Sequence, residues 1–113
     1  GGNPVITAAA LQTLKIILGS QIMKKTLFKE KLIRRKLNHS LIREIRGVGL
    51  MLCLIMNDFE VANKLVLEAK NRGLILFWLL IEKRAVRITP PLTISEQEIE
   101  EGCDIILNIL DTI

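Results

Sequence analysis

The fold of this chain can be inferred most directly from Ala85-Val86-Arg87-Ile88-Thr89-Pro90-Pro91-Leu92-Thr93-Ile94-Ser95, which lies near the C-terminus. Residues 86–89 have the apolar and β-branched side chains of a strand, and the two prolines end that strand in a rigid turn. Ser95, with Glu98 three residues later, has the pattern of a capping box and predicts the start of a helix. Arg87 is therefore predicted at the end of an apolar strand. A guanidinium held there is suited to binding a carboxylate through two parallel hydrogen bonds.

Outward from this segment, helices and strands alternate along the chain. Apolar spacing and turn residues predict helices over residues 4–18, 21–37, 58–72 and from 95 onward, and strands over residues 41–46, 50–56, 74–80 (one strand or two short ones) and 86–89. The segment 50–56 is continuously apolar, which predicts a strand buried on both faces. This order predicts an α+β fold. We expect a two-layer sandwich in which a small antiparallel or mixed sheet carries helices on one face and is preceded by a helical arm.

Two of the predicted helices have a clear apolar face. Asp58 is the predicted N-cap of the third helix, and Gly73 is its predicted C-terminal glycine. The inner face of that helix is predicted to consist of Val61, Ala62, Leu65, Val66 and Ala69. The last helix is predicted to bury Ile99, Ile105, Ile106, Ile109 and Leu110.

Composition indicates a folded domain and excludes several other classes. Half of the residues are hydrophobic and a quarter are charged, which is typical of globular chains and not of disordered ones. The most apolar stretch, 73–81, is shorter than the ~20 residues of a membrane-spanning helix, and the N-terminus lacks the basic region of a signal peptide. Cys53 and Cys103 lie far apart and without metal-ligand spacing. We predict two buried free thiols in a cytoplasmic protein, no metal site and no membrane partner.

Two runs of like charge leave two interpretations open. The second helix carries Lys24, Lys25, Lys29, Lys31, Arg34, Arg35 and Lys36. The last helix carries Glu96, Glu98, Glu100, Glu101, Asp104 and Asp111. The basic run, residues 24–36, is compatible with a non-catalytic binding module that contacts phosphate groups. A solvated helix face is the favoured interpretation because Phe28 is the only aromatic residue within the run, and no nucleic-acid partner is predicted.

Three further features have structural and functional interpretations. His39, the only histidine, lies at a predicted helix end without a recognisable nucleophile nearby and is predicted to cap the helix. The segment Arg46-Gly47-Val48-Gly49 lacks the third glycine and the Lys-Ser/Thr pair of a phosphate loop, so it is predicted to be a tight turn. For Arg87, the residues alone leave open a carboxylate-binding site and a structural ion pair with an acidic residue.

Four sequence blocks together resemble the small domain of class-III aminotransferases, pyridoxal-phosphate enzymes of fold type I that include acetylornithine and ornithine aminotransferases. In chain order the blocks are Gly1-Gly2-Asn3-Pro4 with Ala8-Ala9-Ala10-Leu11, Leu41 to Met51, Asn71-Arg72-Gly73-Leu74, and Val86 to Leu92 with Ile94-Ser95-Glu96. They follow the order of the family and span nearly the whole chain. The resemblance implies that residues 1–20 form an interdomain helix that leaves the large domain. It implies that residues 21–113 form the C-terminal small domain.

The resemblance also implies transamination between an amino acid or amine and a 2-oxo acid. In the family, a lysine holds pyridoxal 5'-phosphate as a Schiff base and the cofactor acts as the electron sink. The arginine that matches Arg87 binds the substrate carboxylate. The family lysine lies in the large domain, and the residue that contacts the phosphate of the neighbouring subunit is expected just before Gly1. We therefore expect no catalytic, cofactor-binding or metal-binding residue in this chain, and no activity of the chain alone.

The resemblance further implies that the full-length enzyme is a homodimer, in which the large domain and the second subunit cover the first helix. The segment 77–84 departs from the family, which has a shorter loop with a glycine at this position. Two alternatives remain open. One is a pyridoxal-phosphate-dependent aminomutase of the same family, and the other is the non-catalytic binding module with the basic run at its surface.

Overall fold

The structure is a computed structural model that describes residues 21–78 and 82–113. Its helices are α1 (Gln21–Lys36), α2 (Phe59–Asn71) and α3 (Glu96–Thr112). Its strands are β1 (Ile42–Val48), β2 (Met51–Met56), β3 (Phe77–Trp78) and β4 (Ala85–Ile88). The predicted helical arm over residues 1–20 lies outside the described residues, and so does the end of the predicted strand over 74–80.

The four strands form one antiparallel sheet in the order β1-β2-β4-β3. Strands β1 and β2 form a hairpin in which Val48 pairs with Met51. Gly49 adopts a φ of 61° at its turn, and Gly47 adopts a φ of 114° within the last part of β1. The predicted tight turn at this segment is confirmed, although β1 runs two residues further than predicted, to Val48.

The hydrophobic core lies between the sheet and the helices. Alternate residues of β2, Leu52, Leu54 and Met56, are buried in this core together with Val86 of β4. The core side chains of α2 are the five residues predicted for its inner face. In α3, Ile99, Ile106, Ile109 and Leu110 are buried as predicted, whereas Ile105 is only partly buried and Cys103 takes a core position. The predicted α+β two-layer architecture is confirmed.

Local sequence signals fix the ends of α2 and α3. Ser95 and Glu98 form the predicted capping box, because each side chain accepts a hydrogen bond of 3.1 Å from the backbone N–H of the other. The hydrogen bonds with Ser95 hold the pKa of the Glu98 carboxyl below its usual range, and the bond from the Ser95 backbone has the largest effect. Asp58 accepts a 2.9 Å hydrogen bond from the Val61 N–H at the start of α2. Gly73 follows the end of α2 with a φ of 83°.

The prediction that the strand over 50–56 is buried on both faces is wrong for its first half. Met51 is 75% exposed and Cys53 is partly exposed, because these side chains point away from the face that the helices cover. The expected burial of both thiols is therefore correct for Cys103 and wrong for Cys53. A continuous apolar run does not distinguish a strand with helices on both sides from one with helices on one side.

Gly47 is expected to be the least replaceable glycine of the hairpin. A Cβ at this position would clash with the backbone carbonyl of Met51, and the φ of 114° is one that L side chains rarely adopt. We expect Gly47→Ala to lower the free energy of unfolding by about 1–3 kcal/mol. Gly73→Ala is the matched control, because its φ of 83° is also positive but nothing lies within 4 Å of the added Cβ. The measurement is urea unfolding of both variants. Equal losses of stability in the two would contradict a steric role for Gly47.

Candidate functional site

Arg87 lies in the middle of a row of side chains that crosses the whole sheet. Its Cα pairs with Cys53 of β2 on one side and with Phe77 of β3 on the other, and Cys53 pairs in turn with Arg46 of β1. We call Arg46, Cys53, Arg87 and Phe77 the cross-strand row. Paired residues of neighbouring strands point to the same face of a sheet. The row therefore lies on the face opposite the helices, and Arg87 is exposed there.

The aromatic ring of Phe77 contacts the Arg87 guanidinium. The Arg87 Cζ lies over the ring, 5.4 Å from its centroid, which is within the range of a cation–π interaction. Phe77 is itself 45% exposed, so the pair lies at the surface of the described domain. Phe77 and Arg87, ten residues apart in the chain, meet here because β3 and β4 pair in this register.

No carboxylate among the described residues forms an ion pair with Arg87. Glu44 of β1 and Glu82, which lies just before β4, already have cationic partners. Glu44 pairs with Arg46, and Glu82 pairs with Arg84 at 3.1 Å. The interpretation of Arg87 as a structural ion pair thus finds no support in residues 21–78 and 82–113. Its N–H donors face solvent without an oxygen partner in that part of the chain.

The Glu82–Arg84 pair is well defined just before β4. Arg84 donates from Nε to one carboxylate oxygen of Glu82 and from a terminal nitrogen to the other, at 3.1 and 3.3 Å, and its backbone N–H donates as well. These bonds, above all those from the Arg84 side chain, hold the pKa of Glu82 below its usual range. Glu82 is therefore satisfied locally and is not available to neutralise Arg87.

The double-proline turn after β4 is fastened to α1. Ile94 donates a 3.0 Å backbone hydrogen bond to the Pro91 carbonyl, which closes the turn. Lys29 Nζ donates a 2.8 Å hydrogen bond to the Leu92 carbonyl. A turn that is held at two points fixes the direction in which β4 ends, and with it the position of the Arg87 backbone.

Three residues of the basic run have structural partners. Arg34 donates to the carbonyls of Ile45 and Gly47 at 2.7 and 2.6 Å, and also pairs with Glu30 at 3.1 Å. Lys36 pairs with Asp104 at 3.6 Å, and Lys29 binds the turn described above. The remaining members are exposed: Lys24, Lys25, Lys31 and Arg35. Part of the basic run thus contacts other elements of the domain, and the rest faces solvent. The sequence contained no signal that Arg34 would fasten α1 to β1.

His39 connects the segment after α1 to the end of α3. Its Nδ1 accepts a 3.1 Å hydrogen bond from the Leu41 N–H, so the proton of the neutral ring is on Nε2. Nε2 lies 2.8 Å from the Asp111 carboxylate and donates to it. The predicted capping of the helix by His39 is therefore wrong in detail. The ring binds the backbone that leads into β1, and both ring nitrogens have structural partners.

Cys103 lines a small apolar cavity between α1, α3 and the end of β4. The cavity has a volume of about 70 Å³, and its lining includes Ile33, Leu37, Ile88 and Ile106. Burial raises the pKa of the Cys103 thiol to about 11, so it is protonated at neutral pH. A protonated thiol in an apolar cavity packs as a small hydrophobic group and is not a nucleophile.

Two features of the described residues bear on the expected partners. Within residues 21–78 and 82–113, no helix is both long and apolar enough to cross a membrane. The same part of the chain contains no group of three or more His, Cys, Asp or Glu side chains arranged to hold a metal ion.

Comparison with known proteins decides the family. The family model described as aminotransferase class-III matches residues 1–110 of the chain. The chain belongs to the class-III aminotransferase family. This confirms the resemblance of the four sequence blocks. It also identifies the sheet that carries Arg87 as part of an aminotransferase domain.

Curated members of the family match all or nearly all of the chain but are much longer. The acetylornithine aminotransferase of Caldanaerobacter subterraneus subsp. tengcongensis is 33% identical over 119 aligned residues, which cover 100% of this chain and 29% of that protein. The mitochondrial acetylornithine aminotransferase of Alnus glutinosa is 38% identical, with 96% of this chain and 25% of that protein covered. The chain thus spans less than a third of the length of these relatives.

Solved structures of the family have the same fold. The crystal structure of acetylornithine aminotransferase from Elizabethkingia anophelis aligns with a TM-score of 0.74 at 25% sequence identity. The alignment covers 100% of this chain and 31% of that one. The two-layer fold of this chain therefore occurs in that enzyme as one part of a longer chain.

The positions of the described lysines bear on where a Schiff base could form. The described lysines lie on α1, on α2 or in the turn before β4, and none belongs to the cross-strand row. Lys29 and Lys36 are engaged in the contacts given above. All of the described lysines are at least partly exposed. The chemistry of the cofactor is therefore not assigned to these residues.

Proposed function

We propose that the chain is the C-terminal small domain of a pyridoxal-phosphate-dependent aminotransferase and that Arg87 binds the carboxylate of its substrate. One observation carries the proposal. Arg87 is an exposed arginine within the cross-strand row, and the carboxylates of Glu44 and Glu82 are already paired with other arginines. A cation that has no carboxylate partner among the described residues is a ready site for a carboxylate from outside.

The chemistry that Arg87 contributes is binding and orientation. A guanidinium presents its N–H donors in a planar fork that matches the two oxygens of a carboxylate. Two parallel hydrogen bonds fix the direction of the carboxylate as well as its position. An amino acid held in this way presents the C–H bond next to its reacting amino group in one orientation, which favours proton removal by a group outside this domain. Arg87 itself transfers no proton, because an arginine side chain remains protonated.

The remaining parts of the enzyme belong to the same proposal. We assign residues 1–20 to an interdomain helix and residues 21–113 to the small domain, with the large domain supplying the catalytic lysine and the cofactor site. We also infer a homodimer, and a cytoplasmic location that agrees with the two free cysteines. Family membership and the share of each relative that the chain covers support this division. The substrates proposed are an amino acid of the N-acetylornithine or ornithine type and a 2-oxo acid.

The chain alone is expected to have no transaminase activity. When it is mixed with pyridoxal 5'-phosphate, we expect no stable Schiff-base absorbance that depends on one particular lysine. The full-length protein is expected to show that absorbance and to transfer the amino group of N-acetylornithine or ornithine to a 2-oxo acid. The measurement is an absorbance spectrum, followed by an assay of the amino product. A stable Schiff base of the chain alone that disappears when a single lysine is replaced would refute the proposed division of labour.

A further inference from the structure

We propose that Phe77 is a positioning residue that holds the Arg87 guanidinium in place for the substrate carboxylate. This inference rests on the proposed function of Arg87 and adds a second residue to that site. Phe77 begins the segment 77–84, which we expect to depart from the family pattern. The contact between the two side chains is a property of this chain's own sheet.

The register of the sheet places Phe77 beside Arg87. Strand β3 is only two residues long, yet it pairs with β4 so that Phe77 lies directly opposite Arg87. The guanidinium carbon lies 5.4 Å from the ring centroid. On the other side of Arg87 the row has Cys53, whose short side chain carries no charge. Of the two neighbours of Arg87 in the row, Phe77 is therefore the one whose side chain is large enough to restrict the guanidinium.

The contact leaves the hydrogen-bonding capacity of Arg87 intact. A phenyl ring attracts a cation through the negative potential of its face and offers no oxygen to the N–H donors. An acidic neighbour would also fix the guanidinium, but it would compete with the substrate carboxylate for the same donors. Phe77 restricts Arg87 without that competition. In the bound state, the donors of the fork can all be directed to the substrate.

The energetic benefit is a smaller loss of side-chain freedom on binding. An exposed arginine samples many rotamers, and fixing them when a ligand binds reduces the affinity. A cation–π contact at an exposed site is worth about 0.5–1 kcal/mol. Removal of the ring is therefore expected to weaken carboxylate binding by a factor of about 2–5 while the later chemical steps are nearly unaffected.

The test uses the full-length enzyme and four variants: Phe77→Leu, Phe77→Tyr, Phe28→Leu and Arg87→Ala. Phe28→Leu is the matched control, because Phe28 is 52% exposed on α1 and is no part of the cross-strand row. For each variant, kcat and KM are measured for the amino acid and for the corresponding amine that lacks the carboxylate. The ratio of the two kcat/KM values is independent of the fraction of enzyme that is folded.

We expect Phe77→Leu to raise the KM for the amino acid about 2- to 5-fold with little change in kcat, and to leave the amine kinetics unchanged. Phe77→Tyr is expected to retain the wild-type ratio, since a phenol ring also binds a cation, and so is Phe28→Leu. If Arg87→Ala lowers the ratio and Phe77→Leu does not, the positioning role of Phe77 is wrong and the role of Arg87 stands. If neither variant changes the ratio, both roles are wrong.

Discussion

Replacement of Arg87 by alanine in the full-length enzyme is expected to lower kcat/KM for the amino acid about 30- to 1000-fold. This corresponds to a loss of about 2–4 kcal/mol of transition-state binding. The reason is the loss of a charge-assisted contact with two hydrogen bonds, which has no substitute among the described residues. We expect KM for the amino acid to rise, and cofactor binding to change little. The measurement is steady-state kinetics at saturating 2-oxo acid, together with the absorbance of the bound cofactor.

Two further variants make the Arg87 experiment specific. Arg87→Lys is expected to recover only part of the activity, because an ammonium retains the charge but does not reproduce the planar fork. Arg43→Ala is the matched control. Arg43 is also an exposed arginine of the sheet, in β1, but it lies outside the cross-strand row. Normal kinetics of the Arg87→Ala enzyme, or an equal loss in Arg43→Ala, would leave Arg87 with a structural role only.

Replacement of Leu65 by alanine is expected to lower the free energy of unfolding of the domain by about 2–5 kcal/mol. Leu65 has no exposed surface, and its helix α2 packs against β2, β3, β4 and α3. The cavity left by the shorter side chain cannot be filled without a shift of the sheet or of α3. A loss of this size is a large fraction of the 5–15 kcal/mol that is typical of a folded protein.

Leu67 provides the control for the Leu65 experiment within the same helix. It is 49% exposed, so Leu67→Ala removes the same atoms from a site that remains in contact with water. We expect a loss of less than about 1 kcal/mol for Leu67→Ala. The measurement is urea unfolding followed by circular dichroism. Similar losses for the two variants would contradict the burial of Leu65 in the core and the exposure of Leu67.

The sequence alone determined the local elements whose signals lie within a few residues of each other. Each residue of the inner face of α2, including Leu65, was predicted from the helical spacing of the apolar side chains. The capping box of Ser95 and Glu98 and the glycine at position 73 were predicted from short-range hydrogen bonding and from backbone conformation. Each of these features has its physical cause inside one helical turn, so the order of residues is sufficient to reveal it.

The candidate site was only partly predictable. Arg87 was identified from the residues around it and from the family blocks, but nothing in the sequence placed Phe77 beside it. Nor did the sequence show that Arg34 binds the carbonyls of β1, or that Met51 and Cys53 face away from the helices. These features depend on the register between strands and on which face of the sheet the helices cover. Both are set by packing between segments distant in the chain, so only the tertiary structure decided them.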